Sequence, residues 1–291
     1  MPGLDGTAVI ALSVLTSISI LLLTSLGLAV IFGLMRIVNM AHGEFLMIGA
    51  FTTTVLVRSA GLPVWLAVLG APLTCALLGA AVEVLFIRPL YGRRLVETLL
   101  ATFGLSLILY QAAIDIFGQS SPGIGAPGGF VEIGRYTVST YSLFLPAAAA
   151  AIVALLYLVF KRTRYGLLAR AAAQNPDMAA ALGVPVRRVN LLTFVLGCAL
   201  AGLGGGLISP IVAVSPGVGQ SYVGQAFMTV VTGGPAFLLG TLCSSVLLGG
   251  VANVVSQMFT NLWGLSALLV VAILLVRLLP HGLSGGWTRG L

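Results

Sequence analysis

The residue types that could support enzymatic chemistry are few, and their spacing fits no catalytic motif. The single lysine, Lys161, follows Phe160, so the chain has no Gly-Lys-Ser/Thr phosphate loop and cannot itself supply a P-loop ATPase. The two histidines, His42 and His281, are far apart and form no His-Glu-x-x-His zinc motif. Gly282-Leu-Ser284-Gly-Gly286 matches Gly-x-Ser-x-Gly, but no strand precedes it and no helix follows, so we interpret it as a chance match. We expect no catalytic residue.

The three cysteines are also poor candidates for chemistry. Cys75, Cys198 and Cys243 each lie inside an apolar run and are widely separated in sequence. This pattern indicates small buried residues rather than disulfides or metal ligands, and we expect no metal site.

A polar cluster follows the first apolar run, with the sequence Arg36-Ile-Val-Asn39-Met-Ala-His42-Gly-Glu44. Ionisable groups in or near lipid are costly and usually face a polar cavity or a partner. One interpretation is a tight cytoplasmic turn whose polar groups meet water and cap the next helix. The other is a broken helix on a translocation path, with Asn39, His42 and Glu44 as the candidate path residues.

The segment 161–190 holds six of the fourteen basic residues of an otherwise apolar chain. Asn175-Pro176-Asp177 interrupts an Ala-rich run and predicts two short helices, with Asn175 capping the second and Gly183 ending it. The second helix would present Met178, Ala181 and Leu182 on one side. Such a helix at a membrane surface suits docking into a partner's groove, and the alternative is a solvated loop that only fixes topology.

These segments must be positioned by membrane-spanning helices. The chain is 59% hydrophobic and 7% charged, whereas soluble domains have about 25% charged residues. We therefore predict an all-α integral membrane protein in contact with the lipid bilayer, built as one transmembrane domain over residues 1–291. The net charge of +7 then reflects arginines gathered at the cytoplasmic face and implies no nucleic-acid partner.

Hydropathy predicts a bundle of about eight or nine helices, some of them broken or re-entrant. Two segments, 40–58 and 220–237, are short or polar enough to be either full spans or re-entrant pieces. The apolar runs long enough to span are 8–34, 63–87, 95–117, 141–160, 191–213, 238–258 and 262–279.

The basic residues predict the orientation. If 161–190 faces the cytoplasm, twelve of the fourteen basic residues lie inside and only Arg58 and Arg135 lie outside. The inside set includes Arg36, Arg88, Arg93, Arg94, Arg277 and Arg289. This predicts an extracytoplasmic N-terminus, a cytoplasmic C-terminus and an extracytoplasmic loop at 118–140, in which Phe130–Ile133 and Tyr136–Ser139 could form a hairpin.

The order of motifs resembles the permease subunits of bacterial branched-chain amino-acid ABC transporters, a group that includes urea and short-amide permeases. The resemblance covers most of the chain. It is carried by Gly33-Leu34, Asn39-Met-Ala-His42-Gly-Glu44, Ile48-Gly49, Arg88-Pro89-Leu90, Arg170-Ala-Ala to Asn175, Met178-Ala to Leu182-Gly183-Val184, Arg188-Val189, Gly202 and Gly205-Gly206. The chain departs from the family at Val231-Thr-Gly-Gly-Pro235-Ala, where a Gly-Gly-x-Gly pattern is usual.

This resemblance implies a permease subunit of the bacterial inner membrane that works with ABC ATPase subunits, a second identical or homologous permease and an extracytoplasmic solute-binding protein. It implies that the chain is not an enzyme and needs no cofactor, since ATP would bind the partner subunits. It also implies that the Ala-rich segment docks on the ATPase, through Ala172, Asn175, Asp177, Met178, Ala181, Leu182 and Gly183.

We therefore expect an ABC importer permease for branched-chain or related small amino acids or amides, which forms the translocation path. The alternative is a secondary transporter or channel driven by an ion gradient, which would need a relay of buried acidic residues. Glu44, Glu83 and Asp115 form no evident relay in the sequence. An intramembrane enzyme is disfavoured because no nucleophile or metal set is present.

Overall fold

The computed structural model describes residues 4–93, 95–119, 123–134 and 136–285, so Arg94, Arg135 and Arg289 of the charge count lie outside the described residues. The described part is helical except for one hairpin. The helices are α1 (Leu4–Met35), α2 (His42–Arg58), α3 (Val64–Val82), α4 (Leu95–Phe117), α5 (Thr140–Arg162), α6 (Arg164–Gln174), α7 (Pro176–Ala181), α8 (Val186–Ile208), α9 (Val218–Gly233), α10 (Phe237–Met258) and α11 (Asn261–Leu278).

Within the described residues, seven helices are long and apolar enough to cross a membrane: α1, α3, α4, α5, α8, α10 and α11. The polytopic all-α class is confirmed, but the count is seven rather than eight or nine. The two ambiguous segments form α2, with 17 residues, and α9, with 16. At a helical rise of 1.5 Å per residue they are about 26 and 24 Å long, which is shorter than the bilayer's apolar core of roughly 30 Å.

Helix α8 lies at the centre of the bundle and packs against α1, α2 and α3. This packing depends on glycine. A Cβ atom on Gly205 would overlap the carbonyl oxygen of Leu46 in α2, and one on Gly202 would overlap the Cys75 side chain in α3. The glycine-rich stretch is therefore regular helix that allows close backbone approach, and the irregular loop of residues 209–217 begins only after it.

Two helices break where polar residues enter the apolar sequence. Helix α1 ends at Met35, the next residue Arg36 adopts φ 54°, and residues 36–41 lead into α2. Helix α3 loosens into a π-helical turn, Glu83–Ile87, and then a 3₁₀ turn, Arg88–Leu90. Pro89 at the start of that turn cannot donate a helical hydrogen bond, which accounts for the end of the helix.

The predicted hairpin is present. Strand β1 (Phe130–Ile133) pairs antiparallel with β2 (Tyr136–Ser139), with Phe130 opposite Ser139. Ser139 then caps α5 by accepting a hydrogen bond from the backbone N–H of Tyr141 at 3.3 Å. Because α5 runs the length of the bundle from Thr140 to Arg162, the hairpin lies at the end opposite α6 and α7.

Candidate functional site

Helix α6 is bound firmly to the end of the bundle. Its cap, Thr163, accepts a hydrogen bond from Gly166 N at 3.1 Å, and Arg170 Nη1 donates to Phe160 O at 2.5 Å. The Tyr165 hydroxyl shares a 2.8 Å hydrogen bond with Thr193 Oγ1 of α8. Burial raises the pKa of Tyr165 above its ordinary value, so this hydroxyl stays protonated. The helix therefore connects the segment after it to both α5 and α8.

Helix α7 has defined caps at both ends. Asn175 Oδ1 accepts a hydrogen bond from Met178 N at 3.0 Å, and Pro176 occupies the first turn, as the sequence predicts. At the other end Gly183 N donates to Ala180 O at 2.9 Å and Val184 N donates to Ala179 O at 3.0 Å. This is a Schellman motif, which requires the positive φ of 85° that Gly183 adopts.

The surface of α7 is divided between the bundle and solvent. Ala179 is 3% exposed and faces inward, whereas Met178 is 59% and Leu182 is 79% exposed. Asn175, Asp177, Ala181 and Gly183 are exposed with them, so the structure brings six of the seven predicted docking residues to one surface. Ala172 differs: it is buried in α6, so it can position this surface but not contact a partner directly.

A cavity of about 520 Å³ lies beside α6 and α7. It is lined by the turn after α1, the turn after α3, the first turns of α4 and α8, and the end of α6. Three arginines at its rim are exposed: Arg36, Arg93 and Arg187. All these basic segments therefore meet at one end of the bundle, as the charge pattern requires.

The polar residues Asn39, His42 and Glu44 are buried, with 1%, 0% and 1% of their surface exposed. Asn39 Oδ1 accepts from Ala41 N at 3.1 Å, and His42 Nε2 lies 2.8 Å from Thr24 O in α1. Glu44 Oε1 accepts from Ser106 Oγ of α4 at 2.9 Å. His42 and Glu44 thus point toward different helices, and none of the three lines a cavity found among the described residues.

Each of these three residues keeps one atom without a hydrogen-bond partner within the described chain: Asn39 Nδ2, His42 Nδ1 and Glu44 Oε2. Unpaired buried polar atoms are costly, and they are concentrated in this short turn. Their location at a helix break agrees with the broken-helix interpretation. A role on the translocation path stays a prediction.

Sequence reasoning missed the partners that hold these segments. Thr102 and Ser106 lie one turn apart on α4. Thr102 Oγ1 accepts a hydrogen bond from Met40 N, and Ser106 Oγ donates one to Glu44 Oε1. The mixture of Thr, Ser and apolar residues in the sequence of α4 does not indicate these partners. Buried Glu83 is paired with Arg88 at 3.0 Å and accepts from Tyr91 Oη at 2.6 Å.

Ser284 has a structural role in place of the nucleophile role that its Gly-x-Ser-x-Gly setting suggests. It is fully buried, its Oγ donates to Gly233 O at 2.7 Å, and it accepts from Ala236 N at 3.1 Å. These bonds fix the turn between α9 and α10, where the sequence departs from the resembled family.

A helical bundle in which seven of the described helices are long and apolar enough to cross a membrane defines a polytopic membrane protein. The comparison with known families gives the particular class. The model of the family described as "Branched-chain amino acid transport system / permease component" matches residues 10–278, and the chain belongs to this family. It is accordingly a multi-pass inner-membrane permease subunit of an ABC importer rather than an enzyme.

Relatives match over nearly the whole chain. A protein of Methanocaldococcus jannaschii named probable branched-chain amino acid transport permease protein LivH is 25% identical over 92% of this chain and 89% of its own. The high-affinity branched-chain amino acid transport system permease protein BraD of Pseudomonas aeruginosa is 28% identical over 90% and 91%. LivH of Escherichia coli K12 is 25% identical over 90% of each chain. No solved structure matches.

Proposed function

We propose that α6 and α7 form the coupling segment that docks on a separate ABC ATPase subunit. The observation that carries this proposal is the exposure of Met178 and Leu182 on α7. Large apolar side chains outside the membrane are costly in water and typically mark a partner surface. Helix-in-groove recognition uses such a short apolar face, and flanking basic residues orient the approach.

The attachment of this segment supports mechanical coupling. Helix α6 packs against α1, α5 and α8, and α7 packs against α6 and α8. Because Arg170 and Tyr165 bond α6 to α5 and α8, a displacement of α7 would move these helices as a unit. ATP binding and hydrolysis on the partner subunits would then alternate access to the solute path.

The remaining assembly follows the expectation from the family. The chain would pair with an identical or homologous permease and receive its solute from an extracytoplasmic binding protein. Its helices α6 and α7 would bind ATPase subunits in the cytoplasm. The solute would be a branched-chain or related small amino acid or amide, since the relatives are named as branched-chain amino acid permeases. The N-terminus would be extracytoplasmic and the C-terminus cytoplasmic.

The test is purification of the tagged chain in mild detergent from its native membrane. We expect a P-loop ATPase to co-purify in stoichiometric amount and to be lost in Leu182→Asp. The matched control is Phe130→Asp, which places the same charge at an apolar side chain that is 75% exposed on the hairpin at the opposite end of the bundle. An ATPase retained by Leu182→Asp would contradict the docking surface. A wild-type chain that purifies alone would contradict the assembly and favour the ion-coupled alternative.

A further inference from the structure

The cavity of about 520 Å³ beside α6 and α7 also lies at the ends of three membrane-spanning helices. Besides the end of α6, its lining comes from the turn after α1, the turn before α4 and the first turn of α8. Its volume is within the roughly 300–1,000 Å³ that is usual for small-molecule sites. Met178 and Leu182, which carry the proposed ATPase-docking surface, do not line it. The cavity therefore needs an occupant of its own.

The exposed side chains above and below the cavity lining show its depth in the membrane. Leu85 and Phe86, near the end of the span that α3 begins, are 68% and 47% exposed, and Val96 in the first turn of α4 is 71% exposed. Apolar side chains this exposed on membrane-spanning segments face lipid. Residues 90–93, which line the cavity, lie between these points. The cavity is therefore at the level where the apolar core of the bilayer meets the lipid headgroups.

Three arginines from separate segments converge on this cavity: Arg36 after α1, Arg93 before α4 and Arg187 in α8. Within the described part of the chain, none of their guanidinium groups forms a salt bridge or a hydrogen bond, and no acidic residue lines the cavity. The nearest acidic residues in sequence, Glu97 and Asp177, are exposed outside the lining. Guanidinium groups bind phosphate oxygens through paired hydrogen bonds, so the unpaired charges favour a phosphate ligand.

The backbone of Arg36 supports a binding role for its side chain. Arg36 has φ 54°, and no other non-glycine residue in the described part of the chain has a positive φ. Its N–H donates to Phe32 O at 3.0 Å, which holds the residue against the last turn of α1. Glycine or asparagine would adopt this conformation with less strain. Strained residues of this kind concentrate at binding sites, and here the strain keeps a cation at the cavity.

The rest of the lining suits a ligand with both polar and apolar parts. Tyr91, Gln174 and Asn190 contribute polar groups, and Leu34, Leu90 and Val186 contribute apolar ones. Helix α4, which borders the cavity, packs mainly against α2, and its Leu100 is 72% exposed. An amphiphile could therefore place its polar group in the cavity and its acyl chains along the outer face of α4.

We propose that this cavity binds the headgroup of an anionic phospholipid from the cytoplasmic leaflet. The phosphate would lie among Arg36, Arg93 and Arg187, and the glycerol and first acyl carbons would contact the apolar residues of the lining. The bound lipid would fill the space between α4, α8 and the end of α6, and so help to fix the helix pair α6 and α7 relative to the spans. The choice of leaflet rests on the proposed function, which places α6 and α7 in the cytoplasm.

The test measures lipid binding to the tagged full chain by native mass spectrometry in a non-ionic detergent. The probes are phosphatidylglycerol, phosphatidylcholine and inorganic phosphate. We expect one phosphatidylglycerol to bind each chain, and to bind at least about tenfold more tightly than phosphatidylcholine, because each basic residue near an anionic headgroup strengthens binding several-fold. The combined variant Arg36→Gln, Arg93→Gln and Arg187→Gln should lose this preference.

The matched control removes the same number of charges away from the cavity. It combines Arg162→Gln, Arg164→Gln and Arg277→Gln, at three exposed arginines that do not line the cavity. We expect this control to bind phosphatidylglycerol as the wild-type chain does. Equal binding by the cavity variant and the control would overturn the proposal. Equal binding of phosphatidylglycerol and phosphatidylcholine to the wild-type chain would also overturn it, whether or not the variants fold.

The remaining outcomes identify a different occupant. Inorganic phosphate that displaces phosphatidylglycerol at equal concentration would make free phosphate the ligand and overturn the lipid. A wild-type chain that binds no phosphatidylglycerol, combined with loss of the ATPase in the cavity variant, would assign the arginines to the ATPase interface instead. Co-purification keeps the two proposals separate. A chain that retains the ATPase without binding phosphatidylglycerol contradicts the lipid site alone, and one that binds the lipid but purifies without an ATPase contradicts the coupling function alone.

Discussion

Ser106 Oγ donates a 2.9 Å hydrogen bond to Glu44 Oε1 and so joins α4 to the first turn of α2. Helix α4 makes few other packing contacts: its main partner in the bundle is α2, and residues such as Val96, Leu100 and Ile116 are more than 70% exposed. A polar contact is therefore a main attachment of an otherwise apolar, outward-facing helix. This hydrogen bond is important for the position of α4 because few other contacts hold the helix against the bundle.

Ser106→Ala should lower the stability of the chain. The substitution removes the hydrogen bond to a buried carboxyl group that already has one unpaired oxygen. Leaving a buried polar group without its hydrogen-bond partner costs about 1–3 kcal/mol. We expect a lower apparent melting temperature in detergent. Ser266→Ala is the control, because this exposed hydroxyl bonds only Leu262 O of its own helix, and an equal effect of both variants would contradict the assigned role.

Glu44→Gln separates an ATP-driven mechanism from the ion-coupled alternative. Glutamine keeps an oxygen that accepts from Ser106 and replaces the unpaired Oε2 with an NH₂ group. If solute uptake is driven by the ATPase, we expect it to persist, with a change of only a few-fold. Loss of uptake in Glu44→Gln with normal ATPase binding, where uptake by the unaltered chain depends on an ion gradient, would favour a carboxylate that carries a coupled ion.

Gly183 should be required for its backbone conformation and not for its size. Its φ is 85°, and a Cβ atom there would meet no atom within 4 Å. Substitution therefore strains the Schellman motif at the end of α7 without a steric clash. A left-handed conformation costs non-glycine residues about 1–2 kcal/mol, and asparagine tolerates it best.

We accordingly expect Gly183→Asn to retain coupling of ATP hydrolysis to uptake, and Gly183→Val and Gly183→Trp to lose it while remaining in the membrane. The control is Gly217→Ala, where φ is −76° and the surroundings are also open. The measurement compares the rate of ATP hydrolysis with the rate of solute uptake in the same proteoliposomes. Normal coupling in the valine and tryptophan variants would show that the cap geometry is dispensable.

Ser284→Ala should weaken the turn between α9 and α10, and we expect it to abolish no catalytic activity. The change removes a donor to Gly233 O and an acceptor for Ala236 N, both supplied by a buried hydroxyl. Unsatisfied buried groups cost about 1–3 kcal/mol each. We expect a lower melting temperature and no labelling of wild-type Ser284 by a fluorophosphonate probe. Labelling of Ser284 would restore the nucleophile interpretation.

Features that depend on local sequence were predictable. The Asn175 cap, Pro176 and Gly183 define α7 within nine residues, and long apolar runs locate the seven full-length helices. Contacts between distant segments were not predictable. The bonds from Ser106 to Glu44 and from Ser284 to Gly233 cross 62 and 51 residues of sequence, and a serine in an apolar run gives no sign of its partner.

The same distinction between local and distant contacts applies to the candidate site. Six of the predicted docking residues share a surface because they lie in or next to one short helix, and Ala172 faces inward because α6 packs small residues against the bundle. A cavity of about 550 Å³ is lined by α1, α9, α10 and α11, which are brought together only by tertiary packing. A single chain read in order cannot show which polar residues line a common cavity.

The ion pair of Glu83 and Arg88 gives the last prediction. Glu83 is fully buried, Arg88 is 38% exposed, and their 3.0 Å contact lies where α3 loosens toward Tyr91. Removing one partner of a fully buried pair costs about 3–5 kcal/mol, and we expect a smaller loss here because Arg88 is partly solvated, whereas replacing both partners with neutral residues often costs little. Arg88→Gln should therefore reduce folded yield strongly, and Glu83→Gln combined with Arg88→Gln should recover most of it. Folded yield is measured by size-exclusion chromatography in detergent, and a double variant as impaired as Arg88→Gln would show that Arg88 acts through contacts other than Glu83.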